Sequence, residues 1–292
     1  MSHPENDLVS VVIPTRNRCA RLVRAIESVT SQTWRNIEII IVDDASTDDT
    51  PAYLARLAAT DGRVKAVRNE QALGGGGARN RGVDVASGAY IAFLDDDDIW
   101  LPEKLEIQLS LLRENDRASA ASCGFVAEFP FFGKRTVYVQ PPSDAQQLLR
   151  SNHLGGASMC LTTKAALEAI RGFDPALRSG QDWDLWIKLY DQGEIVVSDR
   201  ALVLYLPHND IRITSNPKSA YTGRRKIFFR YRERMNERTR RFLFCELLYC
   251  RKILLVDGSL AKFPGFLTLL RAASGQNALR FAFRFVKHLV LD

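Results

Sequence analysis

The chain has 292 residues, 46% hydrophobic and 25% charged, which excludes disordered and fibrous classes and suits one large α/β domain with an appendage or two small domains. Its five cysteines (Cys19, Cys123, Cys160, Cys245 and Cys250) are odd in number and form no Cys-x-x-Cys pair, so a disulfide framework and a structural zinc site are not expected and a reducing compartment fits. The net charge of +6 is unevenly placed: residues 217–292 hold 17 Lys/Arg against 5 Asp/Glu, so the tail carries +12 and the remainder −6, a split that predicts two jobs.

Met1 to Asp7 is polar and lacks the apolar core of a signal peptide, and no run approaches the roughly 20 apolar residues that span a bilayer. The expected location is therefore cytoplasmic. Leu8 to Ile13 is a β-branched run that reads as a buried strand. A helix is expected over 18–32, with Leu22, Ile26 and Val29 on one face. A strand over 37–42, a helix over 50–59 and a short strand over 64–67 follow. Gly74 to Gly77 reads as a glycine-rich loop before a helix over 78–86, and Tyr90 to Leu94 as a fourth strand. This alternation predicts a parallel, doubly wound α/β sheet with helices on both faces, and such sheets bind ligands beyond the carboxyl ends of their strands. A helix is expected after Pro102, strands over 118–125 and 136–139 with Phe129 to Phe132 between them, a helix over 182–190, and strands over 195–197 and 202–206. From about Ala220 the pattern is helical and basic.

Three clusters carry chemistry. Asp95, Asp96, Asp97 and Asp98 repel one another and are poor strand formers, and a cation relieves such a run most simply; carboxylates suit Mg²⁺ or Mn²⁺. Side-chain alternation in an extended segment pairs Asp95 with Asp97 and Asp96 with Asp98, so one pair can hold metal while the other reaches ribose or caps the next helix. The plain alternative is a solvated acidic turn with Asp98 as a helix cap. Asp43 and Asp44 directly follow a buried strand and can accept hydrogen bonds from a ribose or base edge, whereas Ser46, Thr47 and Asp48 are good caps. Gly74 to Gly77, with Arg79 and Arg81 just beyond, can bring backbone and guanidinium groups to an anion. No Gly-Lys-Ser/Thr follows, so it is not a Walker loop.

Taken in order, these residues resemble glycosyltransferase family 2, closely over Val9 to Leu109 and more loosely to about Ser215. Val9 to Asn17, Val42 to Asp48, Asn69 to Gly82 and Phe93 to Trp100 look like the family's successive motifs. The resemblance implies a GT-A fold, mostly parallel, with residues 1–216 catalytic (1–109 holding nucleotide and metal, 110–216 the acceptor) and 217–292 a basic helical extension. It implies that Asp44 contacts the base, with Pro14 and Arg16 lining that pocket, that Arg79 lies near base or phosphate, that Asp96 touches ribose, and that Asp97, with Asp95, binds Mn²⁺ or Mg²⁺. Arg16 stands where many members carry an aromatic residue. In Ser179 to Trp186 the catalytic base maps to Asp182, and Gln181 replaces the usual Glu. Trp183, and His208 in a loop over the site, are implied contacts for acceptor or diphosphate; Phe129 to Phe132 and His153 to Ser158 could shape the acceptor site.

The reaction implied is a single inverting transfer from a nucleotide-diphospho-sugar, UDP-linked by preference, to a saccharide or lipid-linked acceptor in polysaccharide or glycolipid assembly. The basic tail, with Ile227, Phe228, Phe229 and Tyr231 interleaved, suggests an anionic membrane surface, hence a peripheral place on the cytoplasmic face; packing on the catalytic domain is the alternative. No nucleic-acid motif is present. Two rivals are a sugar nucleotidyltransferase, which usually has a glycine-rich loop where Pro14 to Asn17 stands, and a non-catalytic binding protein of the same fold.

Overall fold

The computed structural model describes residues 7–129, 133–205 and 217–255. The chain divides into two compact units, Met1–Asp210 and Ile211–Asp292. In the first, a β-branched run forms β1 (Val9–Thr15) and pairs in parallel with β2 (Ile37–Asp43), Val9 opposite Ile37. Both strands are buried on both faces, which is why they read as continuous apolar runs rather than alternating ones. β3 (Val64–Arg68) adds to β2, and β4 (Tyr90–Phe93) to the other side of β1, all in parallel. The crossovers are α1 (Cys19–Thr30), α2 (Thr50–Thr60) and α3 (Gly74–Asp84). α1 turns Leu22, Ala25, Ile26 and Val29 inward, three of the four read from its spacing alone.

Beyond β4 the sheet becomes mixed. β5 (Asp98–Trp100) is a three-residue strand directly after the acidic run, and α4 (Lys104–Arg113) follows it. β6 (Ala118–Phe129) and β7 (Gly133–Val137) pair antiparallel. Then come α5 (Ala145–Arg150), a single 3-10 turn at Ala157–Met159, β8 (Leu161–Thr163), α6 (Lys164–Ala169), α7 (Gln181–Tyr190) and β9 (Glu194–Tyr205). Among the described residues the sheet runs β3-β2-β1-β4-β8-β6-β9-β5, with β7 outside on β6. β8 meets β4 and β6 antiparallel, and β9 lies parallel to β6 with register shifts. The two strands expected over 195–197 and 202–206 are thus one bulged strand, because the irregularity is absorbed without breaking the ladder.

The second unit presents α8 (Pro217–Tyr231), a 3-10 turn at Arg232–Arg234 and α9 (Glu237–Leu255). Ile227, Tyr231, Met235, Leu243 and Cys245 are buried, while Phe229 is 52% and Phe244 51% exposed. No helix among the described residues is long and apolar enough to cross a membrane.

Candidate active site

The site lies at the carboxyl ends of β1, β2 and β4, where a parallel sheet leaves a mouth. It starts with the acidic run. Asp96 and Asp97 form a turn between β4 and β5, closed by the Asp98 N–H donating to the Asp95 carbonyl at 3.1 Å. A turn abolishes the strict alternation of an extended chain: Asp95 and Asp97 still share a side as expected, but Asp98 joins them and the expected pairing of Asp96 with Asp98 does not form. Asp95, Asp97 and Asp98 each bring a carboxylate oxygen to within 4.8 Å of the others, a spacing that oxygen ligands of a divalent cation can share. Asp98 does not cap α4, whose N-cap is Glu103: it is buried in β5, and its carboxylate accepts from Ser158 Oγ at 2.5 Å. The same Ser158 hydroxyl accepts the Asp95 N–H at 3.1 Å, tying both ends of the turn to the 157–159 segment.

Asp96 faces the other way. Thr15 Oγ1 donates to it at 2.7 Å and Arg18 at 2.9 Å. Burial nonetheless outweighs the guanidinium and holds its pKa above the ordinary aspartate value. Arg18 also reaches Asp97, at 3.3 Å. Arg18 is a residue the sequence reading missed; its signal was its place three residues past the end of β1, one helical start from the mouth. Arg16, by contrast, is exposed, and Pro14 half-buried. Asn17, with φ at 54°, accepts the Thr47 N–H at 2.7 Å, stitching the loop after β1 to the loop after β2.

Asp44 accepts from Asn69 Nδ2 at 2.9 Å, from the Leu73 N–H at 2.8 Å and from the Gly74 N–H at 2.8 Å. It thereby ties the entry to α3, accepting the amides of the N-cap Leu73 and of the first helical residue, Gly74. This corrects the reading of Gly74 to Gly77 as a loop: these residues are the first turn of α3. Glycine is a poor helix former, but a Cβ on Gly76 would stand 3.1 Å from Gln181 Nε2 and 3.5 Å from the Asp174 carbonyl, so the bare backbone is what lets α7 and its approach pack there. Asp43 pairs with Arg68 and accepts the Ser46 N–H at 2.8 Å, a loop-fixing role.

Arg79, buried on α3, pairs with Asp95 and donates to Gln181 Oε1 at 3.2 Å; its guanidinium also lies 5.2 Å from the centre of the Phe173 ring. Asp182 opens α7, where a left-handed Gly180 precedes the helix. Burial raises the Asp182 carboxyl to about 6; Arg79 and the Ala157 amide oppose that rise and Asp95 adds to it. The structure thus gathers Asp95, Asp97, Asp98, Arg18, Arg79 and Gln181 with Asp182 close by. Trp183 stands apart: its indole is buried and Nε1 donates to the Leu148 carbonyl at 2.6 Å, packing α7 on α5. His208, Pro130, Phe131 and Phe132 lie outside the described residues. The cysteines of the described residues are all free.

A parallel half-sheet continued by mixed strands, with an acidic turn at its mouth, defines a GT-A fold. The chain belongs to glycosyl transferase family 2, whose model matches residues 10–170, and it is a glycosyltransferase. Over 190 residues it is 33% identical to the UDP-Glc:alpha-D-GlcNAc-diphosphoundecaprenol beta-1,3-glucosyltransferase WfgD of Escherichia coli, covering 64% of this chain and 72% of that one. Among solved structures it is similar to S. aureus TarS 1-349 in complex with UDP-GlcNAc, with a TM-score of 0.67, 19% identity and coverage of 90% and 79%. It is also similar to the mannosyltransferase PcManGT from Pyrobaculum calidifontis in complex with GDP-Man and Mn2+, with a TM-score of 0.63, 17% identity and coverage of 97% and 87%.

Proposed function

We propose that the enzyme transfers a sugar from a UDP-linked donor to a saccharide or lipid-diphosphate-linked acceptor, with inversion, in polysaccharide or glycolipid assembly. One observation carries the reading: a buried carboxylate with its pKa raised to about 6, Asp182, stands beside an acidic turn able to hold a divalent cation. Residues 1–109 serve nucleotide and metal, 110–216 the acceptor, and 217–292 the membrane. Pro14, Arg16 and Asp44 border the base. Asp96, whose oxygens keep lone pairs beyond those used by Thr15 and Arg18, meets the ribose. Asp97, with Asp95 and Asp98, holds Mn²⁺ or Mg²⁺, which when bound neutralises charge on the departing diphosphate. The Mn2+ complex of the similar mannosyltransferase supports this choice of ion.

The acceptor oxygen forms its bond to the anomeric carbon as the bond from that carbon to the diphosphate breaks. Asp182 takes the acceptor's proton, and the nucleoside diphosphate leaves with the electron pair. Arg79 holds Asp95 and Gln181 in place beside that base. The UDP-glucose and lipid-diphosphate in the name of the Escherichia coli relative favour this donor and acceptor class.

Calorimetric titration of wild type and Asp97→Ala with UDP, with and without Mn²⁺, tests the reading. Metal-dependent binding in the wild type that weakens at least ten-fold in the variant is expected. Absence of UDP binding, repeated with GDP and dTDP, would sink the nucleotide-sugar reading and leave a binding protein of the same fold in its place.

A further inference from the structure

Tyr205, the last residue of β9, is a tyrosine the chemistry above leaves unused. Its neighbours place it in the site. A Cβ built on Gly156 would lie 2.6 Å from Tyr205 Oη and 3.8 Å from Asp182 Oδ2, so the phenol and the proposed base border the same small space. That space exists because residue 156 has no side chain. The chain around it serves both groups: the Gly156 amide faces the phenol oxygen, and the next amide, Ala157, faces the Asp182 carboxylate. The ring is fixed from behind by Phe125, edge-on with centroids 4.9 Å apart.

Among the described residues the hydroxyl donates to Met159 Sδ at 3.8 Å, a weak acceptor at long range. With its oxygen approached by the Gly156 amide, the phenol can turn its proton from this weak acceptor to a stronger oxygen of a ligand. Burial, with Asp98, Asp182 and Asp95 nearby, keeps the phenol protonated, so it acts as a donor and not as a base.

We propose that Tyr205 is an acceptor-binding residue, donating its hydroxyl proton to an oxygen of the acceptor sugar and so holding the attacking hydroxyl at Asp182. The inference rests on the glycosyl-transfer reading. It assigns Tyr205 to the acceptor and not to the nucleotide, because its phenol borders the same space as the proton-accepting Asp182, whereas the groups proposed for base and ribose stand at the ends of β1 and β2 or just after them, and at Asp96, which faces Thr15 and Arg18.

The test compares wild type, Tyr205→Phe and Gly156→Ala. UDP-glucose is the donor, and a panel of saccharides and N-acetylglucosamine-diphospholipid is screened for the acceptor that wild type uses fastest. Tyr205→Phe removes one oxygen and keeps the ring. The expected result is a rise in acceptor KM of about ten-fold or more, the loss of one hydrogen bond to the acceptor, with UDP affinity within two-fold of wild type. Gly156→Ala, whose methyl enters the shared space, should show the same acceptor-selective loss, and it stands in if Tyr205→Phe misfolds. An unchanged acceptor KM in both variants, or an equal loss of UDP affinity, overturns the proposal while leaving glycosyl transfer intact. Wild type that neither transfers to any acceptor nor binds UDP overturns the transfer reading and this proposal with it.

Discussion

At the scale of single residues, the site is an arrangement of carboxylates whose repulsion is relieved one by one. Arg79 answers Asp95, Arg18 answers Asp96 and Asp97, and Ser158 answers Asp98. Asp182 is the one whose proton affinity burial drives up furthest toward neutrality, to about 6. Folding lifts this pKa above its unfolded value of about 3.9, so the native state holds the extra proton between those limits and stability falls as pH rises through them. Asp182→Asn should therefore abolish transfer yet exceed wild type in unfolding free energy at pH 8, by on the order of 1–3 kcal/mol, with the two converging below about pH 4. Urea denaturation at both pH values measures this. Equal stability at pH 8 would show that the carboxylate is well solvated. In the wild type, kcat/KM should climb as pH rises through about 6, the direction required of a base that must be ionised.

At the scale of elements, α3 is where local propensity and tertiary need part company. Gly82 on this helix sits over the sheet, and a Cβ there would meet Val12 Cγ1 at 2.4 Å and Val42 Cγ2 at 3.1 Å. Alanine is the better helix former by about 1 kcal/mol, but the clash falls on two fully buried side chains in β1 and β2. Gly82→Ala is expected to destabilise the fold by about 1–3 kcal/mol, measured as a lowered urea midpoint at unchanged slope. A rise in stability would mean that the strands yield at no cost. The same conflict explains what the sequence made legible. β1, β2 and α1 follow from apolar periodicity, and their bounds fall within two residues of the expected ones. Gly74 to Gly77 looked like a loop because propensity says nothing of Gln181 arriving from a hundred residues away. α5, β8 and α6 escaped notice because elements of three to six residues hold too few positions to show a period. The acidic run was legible as a candidate cation site, but not that a turn at Asp96 and Asp97 would bring Asp98 beside Asp95 and Asp97 and turn Asp96 away. Tyr205 and Gly156 were illegible for a different reason: their partnership needs β9 and the 3-10 segment side by side.

At the scale of the whole molecule, the second unit carries the positive charge that the first lacks. In it, Phe229 is exposed between Arg225 and Arg232, whose guanidinium carbons lie 5.5 and 6.0 Å from its ring centre. Phe228 touches both Phe229 and Phe244, so the aromatic surface continues from α8 to α9, where Arg241 and Leu248 share the exposed stripe of Phe244. Exposed aromatics ringed by arginines suit an interface with anionic lipid, since the rings gain by leaving water and the guanidinium groups by meeting phosphate. The remaining residues, 256–292, hold 5 Lys/Arg against 2 Asp/Glu, so their own charge does not complement that face. The full chain should therefore sediment with phosphatidylglycerol vesicles at low salt and be released as salt is raised, and bind phosphatidylcholine vesicles far less. Replacing Phe229 and Phe244 together by Ala should weaken binding by about ten-fold or more, since each phenylalanine loses roughly 1.5–3 kcal/mol of burial, while transfer to a water-soluble saccharide acceptor is unchanged. Equal binding to both lipids, or full retention by the double variant, would assign this surface to protein packing instead. Such a result would also detach the acceptor's lipid from the tail and leave its recognition to the catalytic unit.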